Sequence, residues 1–379
     1  MNILTRGDIM FKKFSLPLIA IFCVSLILTG AECAFGEAMH LAADSPFIRY
    51  YGRWEMKDKT ALTGQGATYI RAKFTGSSYL RADLTGKGVF WAYSIDGRAF
   101  QRLEVKGSSP LTLGKDLDKN KEHLVTLVRS TEGQAGISEF KGFILEQGGK
   151  FVAPPANKKR RLEFVGDSIT AGAINLMPYN GSNYYVSEDG NMSYAPLLSR
   201  LLDADWSVVA KSGGGVVHNY ADPWPSDKPL AIDRYGWTFF HTAISKANHE
   251  WDSRNFPVDA VIVALGTNDF SDPHRQPTKT EFCTAYNALL QKIRQMNPQT
   301  RIICLEPLPS HLPKEIRAWI ADSVQAQHDS KIYFVPLNDK APLLAPEDYT
   351  DGRTHPNILG HIKVAAYLKD KIAAIMEWE

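Results

Sequence analysis

RLEFVGDSITAG, residues Arg161–Gly172, decides how the rest of the chain is read. A short apolar run (Leu162, Phe164, Val165) ends in Gly166-Asp167-Ser168, and the helix-compatible residues Ile169, Thr170, Ala171 and Gly172 follow. The pattern predicts a buried strand, a tight turn and a helix start, with Ser168 exposed at the strand's C-terminal edge. In an open parallel sheet that edge is where ligands bind. A serine there presents its hydroxyl outward, and backbone N–H groups of the helix start can face developing negative charge. The same residues also suit an ordinary strand–turn–helix with a capping serine, because Asp and Ser are common N-caps. The remaining sequence has to separate the two readings.

The chain has 379 residues, 44% hydrophobic and 22% charged, which is long enough for about two domains. A formal net charge of +2 gives no strong field that would select nucleic acid or anionic lipid as a partner. The densest basic cluster, Lys158–Arg161, reads as a solvated linker. At the N-terminus, Phe11-Lys12-Lys13 precedes an apolar run from Phe14 to Leu28 and then small residues around Ala31–Ala38. That layout is a secretory signal peptide over residues 1–38, and the run is short for a membrane span. The expectation is an exported protein, secreted or periplasmic, with no stable membrane insertion after cleavage; a retained anchor is the alternative. Of the four cysteines, Cys23 falls in the signal, while Cys283 lies in a helical pattern and Cys304 in a strand. They read as free buried thiols, and no metal-type spacing occurs.

Residues 39–152 are rich in β-branched and aromatic residues with frequent Gly turns. Thr68–Phe74 alternates apolar and polar residues, as a half-buried strand does. Ser78–Leu84 repeats the alternation, and Val89–Ile95 is apolar on both sides and ends at the hairpin signal Asp96-Gly97. His123–Arg129 and Gly142–Leu145 add strands. Many short strands between turns predict a β-sandwich or jelly roll. Trp54, Trp91, Tyr69 and Tyr93 suit either the core or a sugar-stacking platform. A linker follows at 153–160, around Pro154-Pro155.

From residue 161 to 379 the pattern changes. Strands at Arg161–Val165, Trp206–Ala210, Asp259–Leu265, Arg301–Leu305 and Ile332–Val335 alternate with helical stretches near Met192–Leu202, Phe239–Trp251, Lys279–Met296, Lys314–Gln327 and Ile358–Met376. Such alternation predicts a parallel sheet covered by helices on both faces. Three segments at strand ends stand out. In Lys211-Ser212-Gly213-Gly214-Gly215 the glycines let the backbone approach a ligand, and the missing Gly-Lys-Ser/Thr argues against a phosphate loop. In Gly266-Thr267-Asn268-Asp269 the Asn amide is a suitable neutral donor for an oxyanion, or else a cap. In Asp351-Gly352-Arg353-Thr354-His355-Pro356-Asn357 a loop holds His355 just before the last helix, where it suits a general base.

These segments, in this order, resemble the SGNH (GDSL-like) hydrolases: a block with Ser168, one with Gly213, one with Asn268 and a terminal one with His355. The β domain in front, the Ser-Gly-x-Gly block and the His-Pro-Asn…Gly-His ending look most like carbohydrate esterase family 2. The resemblance implies a flavodoxin-like SGNH hydrolase domain, α/β with a parallel five-stranded sheet, preceded by an all-β jelly-roll domain. It implies an acetyl xylan esterase-like enzyme that removes acetyl groups from plant cell-wall polysaccharides or their oligosaccharides, xylan or glucomannan, through an acetyl-serine intermediate, with no metal or cofactor. Ser168 would attack after His355 takes its proton. The oxyanion would be met by the Ser168 N–H, the Gly213 N–H and the Asn268 side chain. One departure stands out: the family's Asp usually lies three residues before the histidine, whereas here that position is Gly352 and Asp351 lies one further away. Either Asp351 reaches the imidazole, or the site is a Ser-His dyad with a carbonyl orienting His355.

The insert Tyr220–Trp237 carries Trp224, Tyr235 and Trp237, and loops of that length in a compact domain are usually functional. One of the three, Trp237 first, is expected to stack on a sugar beside Ser168. The opposing reading is a loop held down by its own aromatics. Two other functions stay open: a lipase-like or thioester hydrolase, and a carbohydrate-binding protein with a vestigial esterase site.

Overall fold

The computed structural model describes residues 38–176, 179–182, 184–239 and 250–379. The signal-peptide pattern and most of the helix expected at Phe239–Trp251 lie outside the described residues. The described residues belong to one compact unit.

Alternating apolar residues in the first part of the chain build β1 (Met39–Ala42), β2 (Ile48–Tyr51), β3 (Glu55–Lys57), β4 (Thr60–Thr63) and β5 (Tyr69–Thr75). After them come β6 (Leu80–Ile95), β7 (Gln101–Gly114), β8 (His123–Arg129), β9 (Ser138–Leu145) and β10 (Lys150–Val152). All pair antiparallel in one curled sheet, whose main path runs β10-β5-β8-β6-β9-β4-β3. The two strands expected at Ser78–Leu84 and Val89–Ile95 are a single long strand, β6. Its register with β7 shifts between Lys87 and Val89. The strand passes there from β9, paired through Arg81–Thr85, to β8, paired through Trp91–Ile95. Glycines at 86 and 88 thus mark a bulge that curls the sheet rather than a chain reversal. The Asp96-Gly97 hairpin forms as expected, with Arg98 N–H donating to the Ile95 carbonyl. Trp91 is fully buried and Trp54 packs 6.3 Å from it, so these aromatics are core rather than platform.

The second half gives β11 (Arg160–Gly166), α1 (Ser168–Ala171), α2 (Tyr194–Leu201), β12 (Ala204–Ala210) and α3 (Ala231–Tyr235). The series continues through β13 (Ala260–Ala264), α4 (Lys279–Met296), β14 (Arg301–Leu305), α5 (Glu315–Ala326), β15 (Ile332–Val335) and α6 (Ile358–Met376). The sheet order is β12-β11-β13-β14-β15, all parallel. This is the flavodoxin-like winding, whose switch point beside β11 is the expected ligand crevice. Residues of β11 alternate between two cores. Leu162 and Phe164 pack with Leu198 of α2 and Leu368 of α6, while Val165 packs with Phe282 and Leu289 of α4.

The two sheets share a buried seam. The Tyr69 ring lies 4.3 Å from Tyr51 and 4.1 Å from Trp206, stacked on both, and its hydroxyl donates to Asp205 at 2.7 Å. Arg53 of the β domain, fully buried, pairs with Glu163 on β11 at 3.2 Å and donates to the carbonyls of Tyr235 and Trp237. Ser207 donates to the same carboxylate. Removing one member of such a pair strands the other charge. Arg53→Met is expected to destabilise the protein by about 3–5 kcal/mol in chemical denaturation. A loss below about 1 kcal/mol would show that the seam does not depend on this pair.

Candidate active site

The turn after β11 is shaped by Gly166: a Cβ there would lie 2.0 Å from Thr170 Oγ1, so only glycine lets the strand close onto α1. Asp167 caps that short helix by accepting from the Ile169 N–H at 3.0 Å. Burial pushes its carboxyl up to about 6, against the pull of the Ile169 N–H and the Thr267 side chain. Its bond to the Ile169 N–H is that of a helix cap. Ser168 follows at the sheet's C-terminal edge.

His355 meets it there. The ring Nε2 lies 2.9 Å from Ser168 Oγ, and Nδ1 lies 2.7 Å from Asp351 Oδ2. A carboxylate only accepts, so Nδ1 carries the proton and Nε2 accepts from the serine hydroxyl. Asp351 reaches the ring although it lies one residue further away than the usual spacing. Gly352, at φ +82°, turns the chain back, and Asp351 Oδ1 accepts the N–H groups of Arg353, Thr354 and His355. Burial alone would raise the Asp351 carboxyl. Hydrogen bonds from the His355 ring and from the His355 and Thr354 N–H groups hold it instead well below the usual carboxylate range.

The other two strand-end segments converge on the same rim. Asn268 Nδ2 donates to the Gly214 carbonyl at 2.9 Å, tying the block after β13 to the glycine loop after β12. Its amide has a second N–H to offer. Asp269 is fully buried and accepts from the N–H groups of Val216, Val217 and His218, so it anchors the loop that continues from the glycines. Burial raises its carboxyl, and those three N–H groups oppose the rise. Among the described residues, neither the Ser168 nor the Gly213 N–H donates to another group. No group of metal-ligating side chains occurs among the described residues.

The aromatic insert departs from expectation. Tyr235 is 1% exposed, its hydroxyl accepts from Asn297 at 2.7 Å, and its ring lies under the Arg53 guanidinium. It is a core residue and offers no face to a sugar. Trp224 stacks on His218 at 4.4 Å, and the Arg275 guanidinium lies 4.4 Å from its centroid, so the loop holds down its own ring. Trp237 is half-buried, bridged to Glu250, with its carbonyl held by Arg53. The most exposed large aromatic of the insert is Tyr220, at 64%. Its N–H donates to the Gly213 carbonyl at 2.9 Å, and its Cβ would lie 3.4 Å from a Cβ at Gly213. Nothing in the sequence singles it out, because which aromatic of the insert stays exposed depends on how the insert folds.

The β domain also reaches the rim. Glu132, in the loop after β8, accepts from the Ser212 N–H, and Arg102 of β7 donates to the carbonyls of Tyr185, Val186 and Glu188. Both contacts are invisible in sequence.

Two family descriptions match the chain: GDSL-like lipase/acylhydrolase over residues 164–362, and carbohydrate esterase 2 N-terminal over residues 50–155. The cellulase/esterase CelE of Acetivibrio thermocellus is 30% identical over 88% of this chain, which spans 40% of that protein's length. An acetylxylan esterase / glucomannan deacetylase of Cellvibrio japonicus is 24% identical over 93% of this chain and 98% of that protein. The structure of a family two carbohydrate esterase from Clostridium thermocellum, in complex with cellohexaose, superposes with a TM-score of 0.78. It is 28% identical and covers 88% of this chain and 100% of that one. The chain belongs to the GDSL-like lipase/acylhydrolase family, with a carbohydrate esterase 2 N-terminal domain ahead of its α/β domain.

Proposed function

We propose that the protein is a carboxylic ester hydrolase that removes O-acetyl groups from plant cell-wall polysaccharides such as xylan or glucomannan, through an acetyl-Ser168 intermediate. The observation that carries this reading is the line Asp351–His355–Ser168, with contacts of 2.7 and 2.9 Å at a parallel sheet's C-terminal edge. The names of the relatives supply the substrate class.

His355 Nε2 takes the Ser168 proton as Oγ attacks the ester carbonyl. Asp351 keeps the proton on Nδ1 and faces the imidazolium that forms. The tetrahedral oxyanion is met by the N–H groups of Ser168 and Gly213 and by the Asn268 amide, donors worth about 3–4 kcal/mol each on removal. His355 then gives that proton to the departing sugar oxygen, which leaves as a hydroxyl as its bond to the acetyl carbon breaks. Water, deprotonated by the same ring, hydrolyses the acetyl ester and frees the serine. The N-terminal basic and apolar pattern supports export to where such polysaccharides lie.

Acetate release from acetylated xylan, glucomannan and simple acetyl sugars tests the assignment. Release from none of them, with rapid hydrolysis of long-chain nitrophenyl esters, would move the protein to the lipase-like class. Tyr220 is proposed as the ring that stacks on the sugar. Tyr220→Ala is expected to raise KM on acetylated polysaccharide about 2–10-fold and to leave hydrolysis of 4-nitrophenyl acetate unchanged, since stacking is worth about 0.5–1.5 kcal/mol. An unchanged KM on the polymer would remove Tyr220 from substrate binding.

A further inference from the structure

The peptide joining Ser212 to Gly213 is gripped from one side. Its carbonyl accepts from Lys211 Nζ at 2.9 Å and from Gln134 Nε2 at 3.1 Å. The Ser212 N–H donates to Glu132 Oε2 at 2.8 Å, and the Tyr184 hydroxyl bonds Ser212 Oγ. In a planar trans peptide the C=O and the next N–H point in opposite directions. Holding the Ser212 carbonyl toward Lys211 and Gln134 therefore aims the Gly213 N–H away from them. Glu132 is itself fully buried and fixed: its N–H donates to Glu188 Oε1 at 3.0 Å, and its carbonyl accepts from Arg129 at 3.1 Å. Glu132 and Gln134 both belong to the β domain, in the loop between β8 and β9.

We propose that the β domain is part of the catalytic apparatus: Glu132 and Gln134, together with Lys211, position the Ser212–Gly213 peptide so that the Gly213 N–H meets the tetrahedral oxyanion. This rests on the acyl-transfer reading given above. All three are positioning residues, acting through the peptide and not on the reacting atoms. Lys211 does more than aim: a cation on the carbonyl polarises the peptide and strengthens the N–H donor at its other end. It faces Arg234, Glu132, Asp222 and Lys228, and burial followed by the Arg234 charge brings its ammonium down to about 8. The group is cationic below that pH and neutral above it, so the assistance fades as pH rises through about 8.

The test uses the full chain, with kcat and KM on 4-nitrophenyl acetate and acetylated xylan, the kcat–pH profile, and the inhibition constant of a boronic acid that forms a tetrahedral anion on serine. Loss of a whole oxyanion donor costs about 10²–10³-fold in kcat, so a mis-aimed one costs a fraction of that. Gln134→Ala is expected to lower kcat about 3–10-fold and Lys211→Met about tenfold, with KM within about twofold. Boronic acid affinity should fall in step, and the decline of kcat above about pH 8 should vanish in Lys211→Met. Glu132→Ala should lose about tenfold, and Glu132→Gln, which still accepts the Ser212 N–H, should recover most of it. If Glu132→Ala fails to fold, the exposed Gln134 and the Lys211 variant decide the matter. Unchanged kcat and boronic acid affinity in those two would overturn the proposal. Full activity of Ser168→Ala would instead overturn the acyl-transfer reading beneath it.

Discussion

Replacing Ser168 by alanine is expected to abolish acetate release from every substrate, a loss on the order of 10⁶-fold in kcat, with polysaccharide binding retained. The size follows from what is removed. Without Oγ no acetyl-enzyme forms, and the His355 Nε2 loses the hydroxyl 2.9 Å away from which it takes a proton. The donors around Gly213 and Asn268 stay in place, so a residual rate above water is expected from them. The fold should not suffer, because the Asp167 cap, the Gly166 turn and the α1 backbone make no use of the hydroxyl. Mass spectrometry of the wild type quenched during turnover should find one acetyl group on the peptide that contains Ser168. Hydrolysis by the alanine variant at a tenth of the wild-type rate would sink the serine mechanism.

Asp351→Asn is expected to lower kcat about 10⁴-fold with little change in KM. Asparagine can still fill the space, but its amide offers an N–H to Nδ1 and so favours the wrong tautomer at Nε2. It also removes the negative charge that faces the imidazolium. The loop itself should survive, since an amide oxygen can still accept from Arg353, Thr354 and His355. The sign of the pH effect follows from the carboxyl. Its folded-state pKa is lowered, so the stability it lends the loop is present above the ordinary carboxylate range and lost only as pH falls through the lowered value. Asp351 thus stays ionised across the whole range in which the enzyme works, and no loss of activity between pH 4 and 8 is assigned to its protonation. Near-normal turnover of the asparagine variant would show that Ser168 and His355 suffice as a dyad.

Much of this was readable from the chain alone, and for a local reason. The strands at Arg301–Leu305 and Ile332–Val335 and the helices at Lys279–Met296 and Ile358–Met376 fall where periodicity puts them, because their apolar spacing records which face is buried. The long β6 looks like two strands in sequence, since glycines at 86 and 88 look the same whether they reverse a chain or bulge it. The burial of Tyr235 is hidden for a related reason. An aromatic in a polar, proline-rich insert looks available, and only packing against residues distant in the chain, the core around α4 and Arg53 from the β domain, buries it.

What the sequence determined by itself is the inventory of the site: the serine turn, the glycine loop, the asparagine block and the histidine loop, each set at a strand end by residues next to it. What only the tertiary structure decided is how they are aimed. Ser168 and His355 meet across 187 positions, and Glu132 reaches Ser212 across 80. The first contact is fixed by how β11 and the loop before α6 meet at one edge of the parallel sheet, the second by how the two sheets pack. A side chain's neighbours along the chain carry no record of them.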